Sequence, residues 1–84
     1  MPPSPFRLLW LEIAERQYLD LPGDTRALVD ELLALLESEP AGLPDATYDS
    51  ASDQWSAPIG EHALMLYAVV HEPATVIVLR LIAF

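Results

Sequence analysis

The chain has 84 residues, no cysteine and 52% hydrophobic residues. That length supports one domain near the lower limit for a self-sufficient core, and the missing cysteines exclude a disulfide framework and a thiolate metal site. Thirteen acidic residues against four arginines, with no lysine, give a formal net charge of −9; a chain that cannot cluster cations cannot neutralise a phosphate backbone, so no direct nucleic-acid ligand is expected.

Residues 1–5 include three prolines and are expected to be a disordered tail before one domain over residues 6–84. No charged segment followed by an apolar run opens the chain, so the expected location is the cytoplasm. FRLLWL, residues 6–11, reads as a strand, and its weak alternation predicts a central strand covered on both faces. From Glu12 the spacing turns helical. Ala14, Tyr18 and Leu21 share one face, Glu15, Arg16 and Asp20 look outward, and Pro22-Gly23 ends the helix. Asp24 offers an N-cap for a second helix. Its stripe is Leu28, Leu32, Leu35 and Leu36, widened by Val29 and Leu33, so burial is expected along most of its length up to Pro40 and Gly42. The short link between the two makes an αα-hairpin.

Residues 41–53 collect small, turn-forming and acidic residues and read as a loop. Gln54 to Ile59 is a short strand that Pro58 assigns to an edge or a bulge. After Gly60-Glu61 come two β-branched, apolar runs, HALMLYAVV and VIVLRLIAF, around a polar break with Pro73. They predict a β-hairpin with largely buried strands. Each run is too short to cross a bilayer, and His71, Glu72, Pro73 and Arg80 interrupt the whole, so no membrane segment is expected. The expected fold is α+β in the order β-α-α-β-β-β: a helical hairpin on one face of an antiparallel sheet of about four strands, with the first strand beside a C-terminal one. Were the last run an edge, it would be a long, nearly uncharged edge that invites pairing.

Four residues stand out as binding candidates: Trp55, Tyr67, His62 and Arg80. Arg80 is also the one catalytic candidate. Inside an apolar strand it must pair if buried, with Glu12, Glu15 or Glu61, or else face the open side of the sheet as a working group. Trp55 and Tyr48 are surface anchors by residue type; the alternative packs Trp55 beside Tyr67 over the sheet. His62 and His71 lie at opposite ends of one strand, about 30 Å apart, too far to share a metal. Asp45, Asp49 and Asp53 recur in a loop but do not match a calcium-loop pattern, so no metal and no cofactor are expected. No serine, cysteine or lysine stands where a nucleophile would need it.

Several spacings converge on one family. They are Ala14, Tyr18 and Leu21-Pro22 in the first helix, Leu36 and Pro40 closing the second, Ile59-Gly60-Glu61, the apolar run Leu64 to Tyr67, and Val78-Leu79-Arg80-Leu81. Together, over residues 6–84, they resemble the RelE/ParE superfamily of bacterial type II toxins. The resemblance implies an antitoxin-like protein partner wrapped over apolar surface between helices and sheet, or a homodimer. Ribonuclease members of that family place arginines before and after the glycine turn. Here Pro58 precedes the turn and His62, Ala63 and Leu64 follow it, leaving Arg80 as the surviving cation. Phosphodiester cleavage needs cations on the developing charge. The resemblance therefore points to a toxin-type protein that acts by protein binding rather than RNA cleavage, or else to an inert binding or assembly module.

Overall fold

The structure, a computed structural model, describes residues 6–40 and 42–84, so the tail expected at residues 1–5 lies outside the described residues. The elements are β1 (Arg7–Trp10), α1 (Glu12–Leu19), α2 (Gly23–Ser38), β2 (Thr47–Asp49), β3 (Gln54–Ile59), β4 (Ala63–His71) and β5 (Ala74–Ala83). The strands form one sheet in the order β1-β5-β4-β3-β2. β1 runs parallel to β5 and every other neighbour is antiparallel. Both helices pack on one face of this sheet, α1 against β5 and α2 against β1 and β3. This is the α+β arrangement expected from the sequence, with the first strand beside a C-terminal one.

Three features differ in detail. The sheet is mixed and has five strands, because residues that read as loop formers build a further hairpin. The two carboxylate oxygens of Asp49 accept from the Ala51 N–H at 3.0 Å and the Ser52 hydroxyl at 2.9 Å. Asp53 takes a left-handed conformation (φ 54°), which aspartate tolerates in tight turns, and its carboxylate accepts from the Tyr48 hydroxyl at 2.5 Å. Next, β1 is an edge strand covered on one face: Leu8 and Trp10 pack on the core while Arg7 and Leu9 are exposed. The apolar Leu9 on the outer face is what hid its alternation. Finally, β5 is interior over Thr75–Val78, held between β1 and β4, and is not the free edge considered above. Pro58 keeps an unpaired flank, since β2 covers only Gln54–Ser56 of β3.

The helices follow the apolar spacing with one rotation. Ala14 is fully buried on α1. α2 buries Val29 and Leu36, seven residues apart, while Leu28 and Leu35 are 41% and 46% exposed. The broad leucine arc is thus half buried: a helix lying on the outside of a two-layer fold hides one stripe, here the one centred on Val29. Pro22, not Asp24, is the N-cap of α2. Asp24 lies in the first turn, where its carboxylate accepts from the Thr25 N–H at 2.9 Å and favours the positive end of the helix.

Two contacts lock the layers. Gly60, with φ +59°, turns β3 into β4 directly against α2, and a Cβ there would stand 3.1 Å from Leu28 Cδ1. At the other side β1 ends at Trp10, the Leu11 N–H still reaching the Val78 carbonyl at 3.1 Å. Past that point the Leu81 N–H has no strand partner, and Gln17 Oε1 of α1 accepts it at 2.8 Å. Among the described residues no helix is long and apolar enough to cross a membrane. The rotation of α2 is testable by a pair of truncations. Leu36→Ala should cost about 2–5 kcal/mol in chemical denaturation, and Leu35→Ala should stay within about 0.5 kcal/mol of the parent chain.

Candidate functional site

Alternation along the strands sorts their side chains into two faces. Ala57 and Ile59 of β3, Ala63, Met65 and Tyr67 of β4, and Val76, Val78 and Leu81 of β5 are buried under the helices. Val78 and Leu81 are three apart, which a regular strand does not allow on one face. The register supplies the reason. Leu66 pairs with Arg80 and Tyr67 with Val78, so Leu79 is an extra residue in β5. A bulge of this kind re-aims the side chains that follow it. Without it Arg80 would share the buried face with Val78; with it Arg80 is exposed on the open face, opposite the helices.

That open face has an ordered arrangement. One row runs Ser56, Leu66, Arg80 and the next runs Pro58, Leu64, Ile82, each set by cross-strand pairing. Among the described residues no carboxylate lies within ion-pair distance of Arg80. Glu12, one of its expected partners, instead meets Arg16 at 3.1 Å. The pairing expected for a buried arginine is therefore replaced by exposure. Arg7 and Leu9 lie on the same open face, opposite Thr75 and Ile77 of β5.

The four binding candidates are not brought together. Arg80 is on the open face, and His62 is exposed at the same end of the sheet, where its carbonyl accepts the Phe84 N–H at 2.8 Å. Tyr67 is fully buried on the helix face, and its hydroxyl donates to the Pro40 carbonyl at 3.3 Å. Trp55 stacks on Tyr67, with centroids 6.3 Å apart and planes at 11°, and Tyr48 tilts against Trp55 at 5.1 Å. Tyr67 and Trp55 thus form an aromatic strip that belongs to the core side, so Tyr67 is closed to a ligand as the chain stands. Burial pushes the Tyr67 phenol up to about 12. The Tyr48 phenol is raised chiefly by its hydrogen bond to Asp53, and that of Tyr18 by its bond to Asp30.

A second concavity opens between β1 and the helices, a cleft of about 370 Å³ lined by Trp10, Glu15, Tyr18, Leu19 and Leu33. Trp10 and Tyr18 meet edge to face there at 5.3 Å, and the Tyr18 hydroxyl donates to Asp30 at 2.6 Å. Sequence reasoning missed both this cleft and the part Arg7 and Leu9 play in the open face. The alternation of Arg7 to Trp10 carried the signal, but it becomes readable only once β1 is known to be covered on one side.

No family model matches the sequence, and no curated protein does either. Solved structures do match in shape. A chain of the RelE–RelB complex of the archaeon Pyrococcus horikoshii superposes with a TM-score of 0.81 at 19% identity, over 93% of each chain. The YoeB/ParE toxin of Agrobacterium tumefaciens gives 0.81 at 16% identity, over 94% of this chain and 99% of that one. A chain of the toxin-antitoxin complex RelBE2 of Mycobacterium tuberculosis gives 0.78 at 25% identity, over 99% and 100%.

Two measurements test this geometry. Deleting Leu79, the extra residue, leaves Arg80 directly after Val78 and still opposite Leu66 on the open face, so the loss in denaturant titration should stay below the cost of an unpaired buried charge, about 3–5 kcal/mol. The Tyr67 phenol is neutral in the fold to a higher pH than in the unfolded chain, from an ordinary value of 10.0 to about 12. Its contribution is therefore complete below the ordinary value and is lost as the pH rises through the folded one. The denaturation midpoint should fall across that window, and Tyr67→Phe should fall less steeply there, after a loss of about 1 kcal/mol at neutral pH for the bond to Pro40.

Proposed function

We propose, on the premise that this chain has the fold of the RelE/ParE superfamily, that it is a toxin-type protein acting by binding a protein target, held in check by an antitoxin-like partner, and that it does not cleave RNA. The observation that carries this reading is the row Pro58, Leu64, Ile82 on the open face. Pro58 and Leu64 stand on either side of the Gly60 turn, where the resemblance places the arginines of ribonuclease members. In their place are aliphatic side chains that can neither neutralise a phosphorane nor move a proton. Arg80 alone, in a chain of net charge −9, offers little of the electrostatic stabilisation that phosphoryl chemistry requires. An aliphatic face with two exposed guanidiniums, Arg7 and Arg80, suits a protein surface better.

The partner half of the proposal rests on the structural neighbours named as toxin-antitoxin complexes and on the apolar cleft between β1 and the helices. Trp10, Leu19 and Leu33 give that cleft room for an apolar anchor, and Glu15 at its rim suits a neighbouring basic residue. A binding module without toxicity is the second reading, favoured by the same loss of cations beside the turn.

Purified chain mixed with translating ribosomes should leave the messenger intact, and Arg80→Ala should behave alike. Cleavage that disappears in Arg80→Ala would overturn the proposal. Induced expression in a bacterial host separates the two readings: growth arrest without messenger loss supports the toxin, and undisturbed growth supports the module.

A further inference from the structure

The charge of this molecule is divided between its layers. None of the 13 acidic residues falls in β1, β3, β4 or β5, and Asp49 of β2 is the one acidic strand residue. All the others lie in the helices and connections. Two of the four arginines, Arg7 and Arg80, are on strands, and both are exposed on the open face. Between them lie Leu9, 49% exposed, and the partly buried Ile77, while the partly buried Leu66 stands beside Arg80 and Ile82, 38% exposed, lies just beyond it. A strongly anionic protein thus presents one face that is apolar, cationic at two points and free of carboxylates along its four longest strands.

We infer that the open sheet face seats an amphipathic helix of a partner protein, one that brings carboxylates about three turns apart at the two ends of its apolar stripe. The proposal names the target chemistry of the face assigned above and rests on that protein-binding reading. The layer rule selects a helix: a sheet covered by helices on one side, with aliphatic residues on the other, is completed by another helical layer. The spacing comes from the register. Arg7 stands opposite Thr75, and from Thr75 to Arg80, with one bulged residue, the strand advances about 15 Å. At 1.5 Å per residue a helix covers that in about ten or eleven residues, close to three turns, so both carboxylates return to the same side. Apolar residues between them would lie on Leu9 and Ile77.

Other occupants fit less well. A second copy of this face would bring two more arginines and no carboxylate from those strands, so a symmetric dimer through it gains no ion pair. Nucleic acid would find two cations on a molecule of net charge −9, too few to offset the repulsion.

The test uses the full chain and synthetic helical peptides with a leucine stripe, followed by fluorescence anisotropy. The reference peptide carries Glu at both ends of the stripe, about eleven residues apart; in the controls these become Gln or Lys, or are brought to about seven apart. The reference should bind about three- to tenfold more tightly than the Gln peptide, and the Lys peptide should be weakest. Arg7→Ala and Arg80→Ala change exposed groups, and each should remove about half of that preference on a logarithmic scale. Arg80→Glu should move the preference toward a peptide with Lys at the matching end, a reversal that a misfolded variant cannot produce. Equal binding of all the peptides, or none, overturns the inference. So does tighter binding of a single-stranded RNA oligomer at the same face, or self-association that excludes the peptide. Messenger cleavage in the ribosome assay defeats the protein-binding reading itself. An intact messenger with no peptide preference defeats only the present inference.

Discussion

The pairing of β4 with β5, and the single residue by which it falls out of step, governs the rest of the structure. Up to Val78 the strand buries every second side chain; beyond Leu79 it buries the opposite set, beginning with Leu81. This change of phase lets an apolar strand carry a guanidinium through the middle of the sheet without burying it. Leaving an unpaired charge under the helices would cost a large share of the stability of a domain this small. The bulge therefore settles a packing problem and defines a surface in the same step.

The surface so defined explains how a chain with 52% hydrophobic residues divides its apolar area. The helix-facing side is filled by Met65, Tyr67, Val76 and Val78, closed from above by Val29 and Leu36 of α2. The opposite side keeps aliphatic groups in contact with water, while the acidic residues crowd onto the helices and turns. A field of this polarity repels most of its anionic surroundings from one layer and leaves the other receptive. Beside the Gly60 turn the open face is aliphatic, with Pro58 paired to Leu64 and Leu64 to Ile82.

The fold was legible in the sequence wherever two signals agreed. The helical hairpin showed in the spacing of Ala14, Tyr18 and Leu21 and in the break at Pro22-Gly23. The C-terminal hairpin showed in its two β-branched runs, and the architecture followed from their order. What stayed hidden depended on neighbours. Thr47 to Asp49 is too short to announce a strand and forms one because Tyr48 meets Trp55 and the carboxylates of Asp49 and Asp53 fold the turn. The Leu79 bulge leaves no trace in composition, so simple alternation puts Arg80 with Val78. Residue type likewise does not show that the sheet separates Tyr67 and Trp55 from Arg80 by its own thickness.

Gln17 has a consequence for how this protein keeps to itself. Its side-chain amide occupies the Leu81 N–H at the corner where β1 stops short of β5. A bare strand margin there would be a template on which a foreign strand, or the same strand of another molecule, could continue the ladder. Here an incoming strand must first displace a bond held by a packed helix. One glutamine acts as a stopper, turning a seam open to polymerisation into a finished edge.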